Sequence, residues 1–110
     1  MKLPKEFEEY LEKYGHFDLE GLEIFGKLEN GDIENLPSYE AATKLYKQDY
    51  PLLDDEIVIY FDDYLNCIVT LNEKNEVFRV EFEDRVKIAD SFQEWFKQCL
   101  EDFGVSDARV

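Results

Sequence analysis

The stretch that decides the fold is residues 56–82, which read EIVIYFDDYLNCIVTLNEKNEVFRVEF. Runs of β-branched and aromatic residues alternate here with short polar connections, and each run is typical of a strand. The predicted strands are 56–61, 67–71 and 77–82. In the last of them, Phe78, Val80 and Phe82 alternate with polar residues and are expected to face the core. Strands joined by such short connections form an antiparallel meander.

Before this stretch, the pattern predicts two helices and one short strand. The first helix covers 3–14 and ends at Gly15, a residue suited to a left-handed cap. The short strand covers 22–25, between two glycines. The second helix has Pro37 in its first turn and ends before Tyr50. Its expected apolar side consists of Ala41, Ala42, Leu45 and Tyr46.

After the strands, residues 90–103 carry the strongest helical stripe of the chain. A capping box at the start of this helix is formed either by Ser91 with Glu94 or by Asp90 with Gln93. The last helix is therefore expected to start at one of two adjacent residues and to bury its aromatic side.

Together these elements predict one α+β domain over 1–110, with helices packed on an antiparallel sheet of about four strands. Residues 104–110 are expected to be a loose tail. The sequence is 45% hydrophobic and contains nine Phe, seven Tyr and one Trp. Disordered chains are poor in such residues, so a folded core is expected.

The charge balance of the chain excludes some classes of binding partner. It has 27 acidic residues against 12 basic ones, a net charge of −15 at pH 7. That charge repels phosphate backbones and anionic lipids, so neither nucleic acid nor a membrane is expected as a partner. No apolar run approaches the length of a signal peptide or a membrane span, and we expect a cytoplasmic protein.

Few residues in the sequence suggest catalysis or metal binding. Cys67 and Cys99 have no metal-type spacing and are expected to be two buried thiols in a reducing cytosol; a disulfide would need an oxidising compartment. The single histidine, His16, has no nucleophile beside it in a known motif. We expect no enzymatic activity, no cofactor and no metal.

Two acidic clusters flank the first predicted strand. They consist of Asp54, Asp55 and Glu56 at its start and of Asp62 and Asp63 at its end. About 20 Å of strand separates them, too far for one cation site or a glycosidase carboxylate pair.

Two tyrosines, Tyr60 and Tyr64, lie beside the second cluster. Tyrosine among exposed carboxylates is typical of a protein interface, although Tyr60 could equally pack on the second face of a covered sheet. The candidate partner-binding residues are Asp54, Asp55, Glu56, Tyr60, Asp62, Asp63 and Tyr64.

Four segments, in order along the chain, resemble the SUKH superfamily. Residues 88–96, IADSFQEWF, are similar to its C-terminal signature of Ser-Phe followed by an aromatic and a large apolar residue. Residues 3–15, LPKEFEEYLEKYG, resemble its Leu-Pro, aromatic, Leu, Gly opening. The segments 22–26 and 59–63 resemble a strand ending in Gly and a strand entering a hairpin. The family usually has a helix before the Leu-Pro segment, so the resemblance implies a short variant.

The resemblance implies that the protein binds another protein and carries no catalytic set. Bacterial members commonly act as immunity proteins that neutralise a toxin, often a nuclease, whereas others serve as regulatory or scaffold modules. The charge favours the first role, because a nuclease surface is basic and an acidic protein is steered to it. We therefore expect a monomer or weak dimer that blocks the basic surface of a cognate toxin.

Overall fold

The structure, a computed structural model, describes residues 2–105 and confirms an α+β fold. Within that range the chain forms three α-helices, a two-stranded sheet and a four-stranded sheet. In chain order the elements are α1 Lys5–Tyr14, β1 Phe17–Leu19, β2 Leu22–Ile24, α2 Tyr39–Tyr46, β3 Glu56–Asp62, β4 Cys67–Asn72, β5 Val77–Val80, β6 Arg85–Ala89 and α3 Phe92–Asp102.

The larger sheet is an antiparallel meander in the order β3-β4-β5-β6, as predicted from the short connections. Its fourth strand, β6, was not predicted from the sequence. This strand lies at the sheet edge, where Val86 and Ile88 are 44% and 38% exposed. Residues 85–88 alternate polar and apolar side chains over only four positions, the lower limit of a strand signal, and the apolar ones face solvent instead of the core.

The short strand predicted at 22–25 is half of a separate hairpin, β1-β2. Its turn uses Glu20 and Gly21, both at positive φ. The hairpin is joined to the larger sheet where the Phe25 N–H donates to the Ile59 carbonyl at 2.8 Å. Strand β1 was missed because its three residues are too few to show a period of two.

One face of the larger sheet packs against α1 and α3, and the core there is largely aromatic. Phe7 and Phe92 meet edge to face with ring centroids 5.2 Å apart, and Tyr10 meets Phe96 in the same way at 5.6 Å. The Tyr10 hydroxyl donates to the Ile24 carbonyl at 2.8 Å, so the buried phenol has a partner. The predicted stripes of the first and last helices thus form one core.

The opposite face of the sheet is covered by α2. Ser38 caps this helix by accepting from the Ala41 N–H at 3.3 Å, so Pro37 precedes the cap instead of lying in the first turn as predicted. Ala42 is fully buried against the sheet, but Leu45 is 45% exposed, and its predicted place on the apolar side was wrong. The helix is only eight residues long and presents a narrower apolar side than the sequence suggested.

The end of β5 also differs from the prediction. The strand stops at Val80, because the chain turns and the Glu81 N–H donates to the Asp84 carbonyl at 2.8 Å. Phe82 therefore does not face the core with its predicted partners. It is 60% exposed and stacks on Tyr50 with ring centroids 5.0 Å apart.

Ser91 caps helix α3, and its hydroxyl accepts from the Glu94 N–H at 3.1 Å. The Glu94 carboxylate in turn accepts from the Asp90 N–H at 3.1 Å. After the helix, Val105 is buried and its N–H donates to the Leu100 carbonyl. Most of the tail predicted over 104–110, namely residues 106–110, lies outside the described residues.

One glycine is required by a close approach of two backbone segments. A Cβ atom at Gly26 would lie 1.9 Å from the carbonyl oxygen of Gly15. The same contact lets the Lys27 N–H donate to that oxygen at 2.7 Å. Because no side chain fits in this space, the glycine that ends the 22–26 segment has a steric reason.

Candidate protein-binding groove

A groove of about 550 Å³ opens between the second half of α3 and the sheet, beside the turn that follows β3. It brings together residues from four strands, this turn and the end of α3. Its apolar lining includes Tyr60, Tyr64, Leu65, Ile88, Trp95 and Phe103. Four of the predicted site residues, Tyr60, Asp62, Asp63 and Tyr64, line it together.

A β-bulge in β3 turns Tyr60 toward this groove. The register between β3 and β4 shifts between Val58 and Tyr60, so that Ile59 and Tyr60 point to the same side of the sheet. A regular strand would place Tyr60 on the face opposite to Ile59, because successive side chains alternate. The extra residue of a bulge changes which face a side chain occupies. Tyr60 consequently packs on Trp95, with ring centroids 5.9 Å apart.

The turn after β3 is organised by Asp62. Its Oδ1 accepts from the backbone N–H groups of Tyr64 and Leu65, each at 3.0 Å. This is the local bond by which an aspartate holds a turn. The turn leaves Tyr64 92% exposed, and Leu65 beside it is half exposed. Large apolar side chains therefore stand at the lip of the groove.

The rim of the groove is acidic. Asp62, Asp63 and Asp102 line it, and none of them forms an ion pair within residues 2–105. The one basic side chain in the lining is Arg79, whose Nε lies 3.6 Å from a Glu81 carboxylate oxygen. That Nε is buried and makes no hydrogen bond to any described residue. The groove thus holds carboxylates without an ion-pair partner and one buried donor without a hydrogen bond.

The Tyr60 phenol and the thiols of Cys67 and Cys99 in the groove stay protonated at neutral pH. Burial, and then the Asp62 carboxylate, raise the pKa of Tyr60 to about 12. Burial and Asp102 raise the pKa of the Cys99 thiol to about 12, and burial also raises the pKa of Cys67. A nucleophilic cysteine needs a lowered pKa, so these thiols have the environment of structural cysteines. Tyr60 is available as a neutral hydrogen-bond donor.

The acidic cluster at the start of β3 lies at the other end of the strand and outside the groove. Asp54 is exposed and Asp55 is half-buried. The expectation that Glu56 is exposed for a partner is wrong, because its side chain is only 1% exposed. Its carboxylate pairs with Arg85 and accepts from the Thr70 hydroxyl and the Leu53 N–H, both at 2.8 Å. These internal partners explain its burial.

Several residues of the groove were missed by the sequence reasoning. Trp95 and Cys99 belong to the α3 stripe and were assigned wholly to the core, and Ile88 lies on the strand that was not predicted. Arg79 was read only as a polar residue on an alternating strand. A stripe as wide as that of α3 can cover a sheet and also border a groove, which sequence periodicity alone does not separate.

The described residues contain no group of three or more His, Cys, Asp or Glu side chains arranged to hold a metal ion. Within the same residues, no helix has both the length and the apolar character needed to cross a membrane.

The residues that resemble the SUKH pattern have clear structural roles. Ser91 caps α3, Phe92 is fully buried in the aromatic core, and Gly26 permits the backbone contact described above. Comparison with known proteins gave no match among curated proteins and none among solved structures. The sequence model of SUKH_5, described as SMI1-KNR4 cell-wall, matches residues 1–101. The chain therefore belongs to the SUKH superfamily, within the SMI1-KNR4 family.

Proposed function

We propose that this protein is an immunity protein that binds a cognate toxin and blocks its basic surface, most readily that of a nuclease domain. The SUKH superfamily is associated with immunity proteins and with regulatory modules, so family membership supports a protein-binding role. The choice of a toxin as the partner rests on charge. We infer that the protein acts by binding alone, without catalysis or a cofactor.

The observation that carries the proposal is the groove with its unpaired carboxylates. Asp62, Asp63 and Asp102 contribute to the net charge of −15 and form no ion pair within the described residues. A nuclease holds phosphates on a basic surface, and an acidic protein is steered there at a rate that falls with salt. Exposed apolar side chains at the same place add contact area that charge alone does not supply.

We propose the cytoplasm of the producing cell as the place of binding. Cys67 and Cys99 are free thiols, as expected for a chain that folds in a reducing compartment. A cell that makes a nuclease must neutralise it before the enzyme meets nucleic acid. A cytoplasmic protein, either a monomer or a weak dimer, fits this need.

The test uses the protein encoded by the reading frame next to the gene. The two chains are co-expressed, purified through a tag on one, and assayed for nuclease activity with and without the acidic chain. Binding that weakens with salt, together with loss of nuclease activity, is the expected result. Binding without inhibition would support a regulatory or scaffold module instead, and absence of binding at low salt would refute the pairing.

A further inference from the structure

We propose that the groove beside α3 binds a peptide segment of the partner in which Lys or Arg side chains flank a large apolar side chain. This inference rests on the proposed function, since it names the part of the partner that is recognised. Three properties of the groove carry it: an apolar floor and lip, an unpaired acidic rim, and donors that lack acceptors.

The apolar part of the groove calls for an apolar side chain on the partner. Tyr60 and Trp95 pack against each other at the floor. Tyr64, Ile88 and Phe103 stand at its edges with more than a third of each side chain exposed. Large apolar side chains gathered at one concave place on a soluble surface are a common mark of a binding site. A fully hydrophilic cation would leave this surface uncovered.

The acidic rim calls for cations on either side of that anchor. Asp62 and Asp63 lie at one end of the groove and Asp102 lies on α3. The Asp62 and Asp102 oxygens accept hydrogen bonds, from backbone N–H groups and from the Gln98 amide, but these neutral donors leave the charges uncompensated. Lys or Arg on the partner would complete the missing ion pairs and would do so best at low salt.

The unused donors distinguish a peptide from other cations. The Arg79 Nε is buried and makes no hydrogen bond to a described residue, since the Glu81 carboxylate oxygen lies 3.6 Å away. The hydroxyl of the half-buried Tyr60 makes no hydrogen bond to a described residue either. A buried donor without an acceptor is costly, so a ligand that supplies one is favoured. Backbone carbonyls supply acceptors along a peptide segment, whereas a polyamine offers only donors. A peptide therefore meets all three requirements at once.

The first experiment uses two synthetic peptides of equal length and equal positive charge. One has Leu and Trp between its arginines, and the other has Ser in those places. Each is titrated into isotope-labelled protein while the backbone amide signals are followed by NMR, which detects even weak binding. We expect the Leu/Trp peptide to shift the signals of Tyr64, Leu65 and Ile88 and to bind about tenfold more tightly than the Ser peptide.

The second experiment uses variants with matched controls and the same Leu/Trp peptide. Asp62→Asn with Asp63→Asn should weaken binding about tenfold at low salt. Asn keeps the oxygen that holds the turn. Asp54→Asn with Asp55→Asn removes the same charge at the other end of β3 and should change binding less than about twofold, because some 20 Å of strand separates the two pairs.

The apolar anchor has its own pair of variants. Tyr64→Ala should weaken binding of the Leu/Trp peptide about tenfold. Ile33→Ala, which truncates an exposed apolar side chain outside the groove lining, should leave binding unchanged. An unchanged amide spectrum away from each substitution shows that the variants are folded.

The outcomes separate this inference from the proposed function. Equal binding of the two peptides, signal shifts centred on Asp54, or equal effects of the two Asp→Asn pairs would overturn the groove assignment. A toxin inhibited equally well by wild type and by the Asp62/Asp63 variant would keep the immunity function and also overturn the groove. A Leu/Trp peptide that maps to the groove, while no toxin binds, would support the groove and refute the immunity function.

Discussion

At the start of β3 the Glu56 carboxylate is buried against Arg85, whereas at the end of β3 the carboxylates of Asp62 and Asp63 remain at the rim of a groove without an ion-pair partner. Both ends read as acidic clusters in the sequence. The difference lies in where the neutralising cation comes from. Arg85 comes from the far edge of the sheet and holds Glu56 in a structural ion pair, whereas Asp62 and Asp63 form no ion pair within the described residues.

Removing the buried carboxylate of Glu56 is the most direct test of the difference between the two ends of β3. Glu56→Ala should lower the free energy of unfolding by about 3 kcal/mol, because Arg85 then loses its counterion in a partly buried site. The Thr70 hydroxyl and the Leu53 N–H lose their acceptor as well. Urea unfolding measures the change.

The control is Asp54→Ala at the neighbouring exposed position, which should change stability by less than about 0.5 kcal/mol. A loss at Glu56 no greater than that of the control would contradict the structural role of the ion pair.

Charge reversal at Asp62 and Asp63 tests the role of the carboxylates at the end of β3. Asp62→Lys with Asp63→Lys should slow association with a basic partner about tenfold at low salt, because like charges then meet at the groove. The same reversal at Asp54 and Asp55 should have a smaller effect, since that pair lies more than a Debye length of about 8 Å from the groove. Stopped-flow association rates over a range of salt concentrations make the comparison. Identical rates and salt slopes for the two variants would refute it.

A smaller loss of stability is expected from substitutions in the turn after β3, which positions Tyr64 and Leu65 at the lip of the groove. Asp62→Ala removes the acceptor of two backbone N–H groups, those of Tyr64 and Leu65, and should cost about 1 kcal/mol. Asp62→Asn keeps that oxygen and should cost clearly less. Thermal unfolding of the two variants, beside Asp63→Ala, measures the difference. Equal losses for all three would mean that the turn does not depend on this side chain.

The smallest effect concerns alkaline pH. The pKa of Tyr60 is raised from 10.0 to about 12 in the folded state. The contribution of the protonated phenol to stability is therefore fully present below about pH 10. That contribution is lost as the pH rises through about 12. Tyr60→Phe has no proton to lose there, so its stability should fall less steeply than that of wild type between these pH values. The free energy of unfolding of both proteins is measured by urea unfolding across this pH interval. An equal fall with pH for wild type and Tyr60→Phe would contradict the prediction.

Much of the fold was predictable because its signals are local. The stripe of α3 and the capping pair Ser91 and Glu94 identified a helix that the structure confirms, and strands β3, β4 and β5 follow from short runs of residues. Strand β6 was not predictable in the same way. It lies at an edge, where Val86 and Ile88 are exposed and Lys87 pairs with Glu76 and Asp90. Its identity as a strand depends on pairing with β5.

The site was predictable only in part, for two physical reasons. The bulge in β3 decides on which face Tyr60 lies, and a bulge has no signal in a run of β-branched residues. The burial of Glu56 depends on Arg85, which is 29 residues away along the chain. The acidic clusters in the sequence therefore identified both ends of β3. They could not show which end carries the structural ion pair and which end lines the groove.

The ion pair of Glu56 and Arg85 joins the two outermost strands of the larger sheet, β3 and β6. No single hairpin of the meander contains both partners, so the pair can form only after all four strands have assembled. Contacts of this kind are absent from an early transition state. Weakening the pair should therefore leave the folding rate almost unchanged and accelerate unfolding. In kinetic terms, this ion pair lowers the unfolding rate and so lengthens the lifetime of the folded sheet.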